Sequence, residues 1–445
     1  MKGLRAKYLS PSRLIALTFV GLILTGTVLL MLPISSSTGQ SLSFVDALFT
    51  ATSASCVTGL VVVDTGTYFS LFGQVVLLLL IQLGGLGLML FATLFSVLLK
   101  RRLDLQGRLA LQVSLNRDEL NGVVRMSLKI VRYTAVIEGV LGTLLALYFL
   151  PRYGLKGIYY GYWHSISAFC NAGFDLFGNF QSLTMFVGDP VVNLLIGLLI
   201  ILGGLGFAVM SDLLQVKTAF SRMQTHSKLV LSTTGLLLLV GTVGFFILEK
   251  NNPATLGHLS GSTSFLASFF QSVSPRTAGF NTVDLGSLRP ATMLFLCLLM
   301  LIGASPASTG GGIKTTTFAL ILLHIAQIVR GEEDCTLFGR RIGRETMDQA
   351  FAVAGLSLLW IGAAVFLLTL LEQAPLQNIV FEVVSAYATV GLSTGLSQHA
   401  GTISKLVLIL SMYMGRVGVM TFALALTARK RKGHIRYPEG HIMVG

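Results

Sequence analysis

The chain has 445 residues, of which 53% are hydrophobic and only 11% are charged, and its mean hydropathy is +0.77. Soluble globular domains carry about 25% charged residues, so this composition excludes a water-soluble enzyme and a disordered regulator. A net charge of +13 would suggest a nucleic-acid partner in a soluble protein, but the hydropathy excludes that partner here. The sequence therefore predicts a protein that crosses the lipid bilayer several times.

The basic residues predict the orientation of the chain. Of the 32 lysines and arginines, 24 lie before the first apolar run, after the last run, or in every second connection between runs. Short connections rich in Lys and Arg stay in the cytoplasm. We therefore expect a multi-pass protein of the cytoplasmic membrane, with both termini in the cytoplasm and an even number of spans.

Eight apolar runs are long enough to cross the ~30 Å hydrocarbon core. The first run reaches Leu32 and is followed by Pro33, which favours a retained span over a cleaved signal peptide. Within each pair of runs lies a segment that is too polar and glycine-rich to span. The runs cover 14–32, 75–99, 130–150, 192–214, 229–248, 293–328 (interrupted), 351–371 and 406–428, and the segments cover 42–66, 160–186, 263–286 and 379–398.

The four segments are repeats of one another, aligned on a glycine. Ten residues before that glycine the chain always has an aromatic residue, and five residues before it always Ala or Ser. An acid follows the glycine in three segments, at Asp64, Asp175 and Asp284. The aligned positions are Phe49, Trp163, Phe269 and Phe381, then Ala54, Ala168, Ser274 and Ala386, then Gly59, Gly173, Gly279 and Gly391. A repeat of about 110 residues therefore organises the whole chain.

Each repeat predicts a span, a short re-entrant helix, a glycine-containing turn and a second span. The predicted fold is an all-α membrane protein with eight transmembrane helices and four re-entrant pore loops around a pseudo-fourfold pore. We assign unit 1 to 14–100, unit 2 to 128–218, unit 3 to 229–329 and unit 4 to 346–430, followed by a C-terminal tail at 431–445.

The four turns predict a site for a monovalent cation. Non-helical backbone persists at membrane depth only where it is buried in protein or lines a watery cavity. Glycine permits φ > 0, and carbonyl oxygens from four turns can replace the hydration shell of an alkali cation. The alternative is four structural turns without an ion role. The predicted filter comprises Val57, Thr58, Gly59, Asn171, Ala172, Gly173, Thr277, Ala278, Gly279, Thr389, Val390 and Gly391.

From about residue 14 to 430 these repeats resemble the potassium transporter superfamily of Trk, Ktr and HKT proteins, and most of all the membrane subunit of bacterial Ktr systems. In that family a glycine in each unit marks potassium preference, and serine in the first unit suits sodium. The resemblance therefore implies potassium uptake, with the ion (or sodium) held by backbone carbonyls and no covalently bound cofactor. It further implies a homodimer and a KtrA-like cytosolic ring that binds ATP or ADP.

The second span of unit 3 is interrupted near mid-membrane, where proline and three consecutive glycines cannot hold a helix. We interpret the interruption at 303–314 as a flexible loop that obstructs the conduit and moves to open it, an interpretation that the family resemblance supports. The alternatives are a passive packing kink and a phosphate-binding loop. The gating-loop residues are Gly303, Ala304, Ser305, Pro306, Ser308, Thr309, Gly310, Gly311, Gly312 and Lys314.

The second spans of the other units carry Gly-Gly motifs at 84–87 and 203–206 and a looser match at 415–418. Small residues of this kind usually permit close helix packing, so one broken span is expected in the chain. Arg416 lies within the last motif, and charges inside the membrane usually face the interior. We expect Arg416 to line the pore below the filter as a barrier to cations, with a salt bridge to Glu138 as the alternative.

The histidines and serines show neither metalloprotease nor nucleophile-elbow spacing, so an enzyme is not predicted. Two transport alternatives stay open. One is an alternating-access carrier, which would require inverted halves and two broken spans. The other is a less selective sodium or ammonium channel, and coupling of potassium uptake to sodium is open as well.

Overall fold

The computed structural model describes residues 11–87, 123–216 and 220–426, together with residues 90, 109, 111 and 112. The expected ends of unit 1 (88–100, apart from residue 90), unit 2 (217–218) and unit 4 (427–430) lie outside the described residues. The tail at 431–445 and residues 1–10 lie outside them as well.

The described chain is mostly helical, and each unit contains a long helix, then a shorter helix, then a second apolar helix, with further short helices between or after them in some units. Unit 1 contains α1 (Pro11–Met31), α2 (Phe44–Ser55), α3 (Thr65–Tyr68) and α4 (Leu71–Leu86). Unit 2 contains α5 (Val123–Tyr153), α6 (Leu155–Phe169), α7 (Pro190–Leu205) and α8 (Phe207–Val216). Unit 3 contains α9 (Thr225–Glu249), α10 (Gly261–Val273), α11 (Pro290–Leu301) and α12 (Thr315–Arg330). Unit 4 contains α13 (Arg344–Leu371), α14 (Leu376–Tyr387), α15 (Leu396–His399), α16 (Thr402–Val417) and α17 (Val419–Leu426).

The first helix of each unit is long and apolar. Among the described residues, four helices meet the length and hydropathy of a membrane span, and they are α1, α5, α9 and α13. Their outward side chains are apolar and exposed, as at Leu239 and Leu359, which suits contact with lipid. The shorter α2, α6, α10 and α14 follow the first helices and are called the pore helices below.

The second helices depart from the expectation of a single broken span, which was wrong. α4 ends before Gly87, α7 before Gly206 and α16 before Gly418, and these glycines have φ of 86°, 92° and 91°. Glycine reaches such angles without the steric cost that other residues meet, and the helical hydrogen-bond ladder stops there. α7 and α8 consequently meet at a bend of 98°. The last glycine of each motif therefore breaks the helix, at the place where unit 3 has its interrupting loop.

The four units close into a ring. The second helix of each unit packs on the pore helix of the next: α4 on α6, α7 on α10, α11 on α14, and α16 back on α2. Side chains of unit 4 also bind unit 1, which joins the ends of the ring. Lys405 Nζ lies 2.6 Å from Asp46 Oδ1, and Tyr413 donates from its hydroxyl to the Ala16 carbonyl at 2.8 Å. Closure places the four pore helices around one axis.

The first glycine of each motif permits this packing, as expected from its small size. A Cβ added to Gly84 would meet the Ser55 carbonyl oxygen at the end of α2. A Cβ on Gly203 would meet the Phe169 carbonyl at the end of α6, and one on Gly415 the Tyr387 carbonyl at the end of α14. Only glycine allows the second helix to touch the last turn of its own pore helix.

A small hairpin between units 3 and 4 departs from the predicted all-α fold. β1 (Thr336–Leu337) pairs antiparallel with β2 (Arg340–Arg341), with Thr336 opposite Arg341. The connecting Phe338 and Gly339 both have positive φ, at 48° and 75°, as a two-residue type I′ turn requires. Apolar periodicity does not reveal strands this short.

Replacing Gly415 with alanine should destabilise the protein, because the new methyl group would be forced against the Tyr387 carbonyl. Overpacking of this kind costs about 1–3 kcal/mol, and we expect a lower midpoint of thermal unfolding in detergent. Gly362→Ala is the matched control: Gly362 is also helical, but an added Cβ has nothing within 4 Å. That variant should be neutral or slightly stabilising. Equal midpoints for the two variants would contradict the packing role of Gly415.

Candidate ion pathway

The predicted filter turns share an unusual backbone. Two residues before each glycine, a residue with a side chain adopts the left-handed region, and the glycine adopts positive φ as well. Three of those residues are β-branched, for which such angles are strained and cost of order 1–3 kcal/mol each. The φ values are 58° at Val57, 60° at Asn171, 66° at Thr277 and 52° at Thr389, and 94° at Gly59, 71° at Gly173, 77° at Gly279 and 91° at Gly391.

Hydrogen bonds from the pore helices hold this backbone. Thr58 N–H donates to the Ser53 carbonyl at 2.8 Å, and Gly59 N–H donates to the Ser53 hydroxyl at 3.1 Å. Unit 4 repeats the arrangement with the Val390 and Gly391 N–H groups on Ser385, at 2.8 and 3.0 Å. Because the N–H groups point back to the pore helices, the carbonyl groups are left to face the axis.

The four turns surround one point. A Cβ added to Gly59 would lie 2.6 Å from the Ala172 carbonyl oxygen in unit 2. A Cβ added to Gly173 would lie 2.7 Å from the Ala278 carbonyl oxygen in unit 3, and one added to Gly279 would lie 2.6 Å from the Val390 carbonyl oxygen in unit 4. A Cβ added to Gly391 would meet the Thr58 carbonyl oxygen of unit 1, so the circle of contacts is closed. Each unit therefore presents a carbonyl oxygen to its neighbour, and the four glycines with the residues that precede them form one closed ring.

A cavity of about 240 Å³ opens on one side of the ring, called the outer mouth here. Its lining includes the four glycines and the three acids that follow them, Asp64, Asp175 and Asp284. Burial raises the pKa of Asp175, which lies outside the membrane-spanning helices, to about 7, and the charge of Asp64 adds to the effect. Carboxylates at a mouth enrich cations near the entrance.

The predicted gating loop lies on the other side of the ring, against the filter. Gly311 N–H donates to the Thr389 hydroxyl at 3.1 Å, and the Thr309 hydroxyl lies 3.3 Å from Asn171 Oδ1. A Cβ added to Gly310 would meet the Thr277 hydroxyl. Side chains of three filter residues thus contact the loop, whereas the sequence suggested a backbone role alone.

Unit 2 holds the loop through its broken second helix. Thr309 N–H donates to the Gly203 carbonyl at 3.2 Å, and Ser305 N–H to the Gly204 carbonyl at 3.0 Å. Beyond the break at Gly206, Phe207 N–H donates to the Ala307 carbonyl at 2.9 Å. A helix end leaves such carbonyl and N–H groups without helical partners, and here the loop satisfies them.

Two positively charged side chains, Lys314 and Arg416, lie beside the predicted gating loop. Lys314 Nζ donates to the Gly310 carbonyl at 2.8 Å and the Gly311 carbonyl at 3.3 Å, so it closes the loop on itself. The Arg416 guanidinium donates to the carbonyl oxygens of Thr309 and Gly84, and to that of Gly85 at 2.7 Å. Arg416 therefore links units 1 and 4 to the loop of unit 3.

The alternative salt bridge between Arg416 and Glu138 is not formed. The Glu138 carboxylate accepts from Gln82 Nε2 at 3.0 Å, and its other oxygen lies 3.9 Å from Cys170 Sγ. It occupies the interface of α4, α5 and the end of α6, behind the filter, whereas Arg416 lies with the gating loop. Arg416 therefore binds backbone carbonyl groups, and Glu138 binds the side chains of Gln82 and Cys170.

Sequence reasoning did not single out two buried polar residues of the pore helices, His164 and Glu382. Both side chains are 0% exposed, and both bind the chain segment that follows a filter glycine. The signal was present in the repeat alignment, since both lie nine residues before the glycine. The breaks at Gly87, Gly206 and Gly418 were missed because a glycine in a span fits close packing equally well.

Comparison with known proteins assigns the chain to a family. The TrkH family, described as cation transport protein, matches residues 12–433. The chain belongs to this family, whose members are transporters rather than enzymes.

Two curated relatives and one solved structure are similar over nearly their whole lengths. The Ktr system potassium uptake protein B of Bacillus subtilis is 44% identical over 98% of this chain and 97% of its own. The potassium/sodium uptake protein NtpJ of Enterococcus hirae is 39% identical over 100% and 99%. The crystal structure of the potassium transporter TrkH from Vibrio parahaemolyticus matches with a TM-score of 0.74 and 19% identity, over 96% of this chain and 87% of that one. The last likeness shows that the two chains share a mostly helical fold.

Asp175 should make cation affinity pH-dependent. As the pH falls from 8 to 6, the carboxyl group with its pKa raised to about 7 gains a proton and the mouth loses a negative charge. We expect the half-saturating potassium concentration for uptake to rise about two- to fivefold, the effect of one charge at short range in water. Asp175→Asn should flatten this profile between pH 6 and 8. Asp284→Asn is the control, and it should retain the profile because Asp175 is still present.

Gly206→Ala should loosen the gating loop, because the added Cβ would lie 2.5 Å from the Pro306 carbonyl oxygen. Gly418→Ala introduces the same backbone strain, with φ of 91° instead of 92°, but its nearest new contact is the Thr421 hydroxyl at 3.8 Å. In proteoliposomes we expect rubidium uptake to rise about fivefold in Gly206→Ala, the effect of losing one hydrogen bond of about 1 kcal/mol, and to change little in Gly418→Ala. An equal rise in both variants would attribute the effect to strain rather than to the loop.

Proposed function

We propose that the chain is the membrane subunit of a potassium uptake system, and that potassium crosses the cytoplasmic membrane through the ring of filter turns. The observation that carries this proposal is the closed circle in which each filter glycine faces a carbonyl oxygen of the next unit. Such carbonyl oxygens replace the water that a monovalent cation loses on entering.

Potassium is preferred over sodium in this proposal for two reasons. All four units have glycine at the filter position, the pattern that marks potassium preference in the superfamily, and the relative from Bacillus subtilis is named a potassium uptake protein. The relative from Enterococcus hirae is named a potassium/sodium uptake protein. Sodium, as a second permeant or a coupled ion in symport, is therefore the alternative that the same filter supports.

The proposed topology has eight spans and four re-entrant pore loops, with both termini in the cytoplasm. The four long first helices and the four shorter second helices supply the spans, and the distribution of Lys and Arg supports the orientation. The outer mouth then faces the outside, and the gating loop lies on the cytoplasmic side of the filter.

The loop at 303–314 is the proposed gate. It lies against the filter, and it is held by backbone groups of unit 2 and by Arg416. Arg416 adds a positive charge on the conduction path, which raises the barrier for a cation. Opening requires the loop to leave these partners together.

An alternating-access carrier is less well supported. Because second helices end at Gly87, Gly206 and Gly418 as well, the number of broken spans does not exclude such a carrier. However, the breaks recur at the same place in units that run in parallel around one axis, whereas such carriers are commonly built from inverted repeats with two discontinuous helices.

We also propose that the chain forms a homodimer and that a cytosolic ring of subunits binding ATP or ADP controls the gate. The family resemblance and the words "Ktr system" in a relative's name support this assembly. Nucleotide would then act only through the partner, and the membrane subunit would hold only the permeating ion.

Cation flux into proteoliposomes tests the filter and the gate together. The deletion variant lacking Ala304–Gly311 is well suited, because the loop is closed at its base: Gly303 N–H donates to the Ile313 carbonyl at 2.8 Å, and a Cβ on Gly312 would lie 3.3 Å from Gly303 Cα. The remaining ends can therefore be joined without moving either helix. We expect potassium-preferring flux that is low in the intact chain and at least about tenfold higher in the deletion, since removing the loop abolishes several hydrogen bonds of about 1 kcal/mol each.

Gly59→Ser in the same deletion background should lower the preference for potassium over sodium. The serine Cβ would press on the Ala172 carbonyl oxygen and distort the ring. Unchanged selectivity would refute the filter assignment at this position. Equal flux in the intact chain and in the deletion variant would refute the gate.

A further inference from the structure

The position nine residues before the filter glycine differs among the four pore helices. It is occupied by Thr50, His164, Phe270 and Glu382 in units 1 to 4. His164 and Glu382 are both 0% exposed, and they lie in units on opposite sides of the ring. Buried ionisable groups inside a membrane protein are costly unless their polar atoms are bonded.

Glu382 binds the segment that follows the filter in its own unit. Its Oε1 accepts from the Ser397 N–H at 3.1 Å and from the Ser397 hydroxyl. The Ser393 hydroxyl lies 2.9 Å from both carboxylate oxygens. Ser393 and Gly395 of this segment line the outer mouth. The carboxylate therefore ties the wall of the mouth to the pore helix, two to six residues beyond Gly391.

His164 likewise binds the segment that follows the filter glycine in unit 2. Its Nδ1 lies 2.7 Å from the Tyr160 carbonyl oxygen, so Nδ1 carries the proton, and Nε2 accepts from the Leu176 N–H at 3.2 Å. The ring stacks on Phe177 at a centroid distance of 4.5 Å and an angle of 22°. Asp175 of the outer mouth immediately precedes the residue that His164 holds.

Units 1 and 3 have no ionisable side chain at this position, and unit 2 contacts their outer segments instead, while the Ser274 hydroxyl of the unit 3 pore helix donates to the Phe280 carbonyl. The Thr50 hydroxyl bonds only within α2, to the Asp46 carbonyl at 2.8 Å. The segment after Gly59 is instead held where Phe180 N–H of unit 2 donates to Asp64 Oδ1 at 2.9 Å. In unit 3, Asn281 donates from its N–H to the Ser182 hydroxyl at 3.1 Å and accepts from the Leu183 N–H at 3.0 Å.

We propose that Glu382 and His164 are positioning residues for cation selectivity, which fix the outer filter segments of units 4 and 2 from inside the pore helices. The proposal rests on the potassium-selective filter proposed above. Carbonyl oxygens that discriminate between alkali cations need a fixed spacing or a fixed number around the ion. Two opposite units have a buried ionisable side chain that binds this segment, whereas the segments of the other two units contact the loop of unit 2.

Ion binding to the purified full chain in detergent, measured by calorimetry with potassium and with sodium, tests this proposal without an open gate. Glu382→Leu should lower the ratio of potassium to sodium affinity about tenfold, the effect of losing hydrogen bonds to a charged group. Glu382→Gln retains an acceptor and should stay within about threefold of the unmodified ratio. Thr50→Val is the matched control at the same position of unit 1, and it should leave the ratio unchanged. His164→Leu and His164→Gln should behave as the corresponding pair in unit 2.

A double-mutant cycle separates positioning from general destabilisation. The variant Ser393→Ala with Ser397→Ala removes the donors from the other side and should lower the ratio in the same direction. It should have no further effect when combined with Glu382→Leu, since contacting groups act as a unit. If Glu382→Leu does not fold, the affinity ratio of the serine variant alone tests the proposal.

The outcomes are distinct. If the unmodified chain binds sodium as tightly as potassium, the proposed function is wrong. If the unmodified chain prefers potassium while Glu382→Leu or the serine variant keeps the full ratio, the positioning role is wrong. Fully additive losses in the cycle would also overturn it.

Discussion

The proposed ion pathway depends on one backbone constraint: the predicted filter turns direct their N–H groups toward the pore helices, which leaves the carbonyl groups of the turns free of those helices. This requires left-handed angles at residues such as Val57 and Thr389, which are unfavourable for β-branched side chains. Strain of this kind persists only when the surroundings over-determine it. The serines Ser53 and Ser385 supply that restraint within the pore helices, and closure of the ring supplies it between units.

Glycine serves two different purposes in the second helices. The first glycine of each motif lets the helix contact the last turn of the pore helix, and the last glycine ends the helix by taking a positive φ. In unit 2 the break also exposes the backbone groups of Gly203, Gly204 and Phe207, which the loop of unit 3 satisfies. A ring of four similar units thus becomes asymmetric, because one unit supplies a loop and its neighbour supplies the site that holds it.

The charges inside the ring are balanced mainly by polar neutral groups. Arg416 and Lys314 donate to carbonyl oxygens, and Glu382 accepts from serines. Ion pairs in the described chain lie nearer its surface, as between Lys405 and Asp46. Because carbonyl groups bind Arg416 and Lys314, these side chains can leave their partners without leaving a buried carboxylate unpaired, which would be costly. This arrangement suits a loop that has to exchange partners.

The sequence by itself determined the repeat, the glycine turn of each unit, the interruption in unit 3 and the class of membrane protein, because composition and spacing along the chain report them directly. It did not determine that Arg416 contacts the loop rather than Glu138, that Asn171 and Thr389 bind the loop, or that His164 and Glu382 brace the mouth. Those contacts join residues that are far apart in the chain or on different faces of one helix. Likewise, a glycine in an apolar run is compatible with both packing and breaking, and only the tertiary contacts at Gly84 and Gly206 separate the two. The reason is physical: local periodicity encodes which face is buried, whereas ring closure decides what each buried group meets.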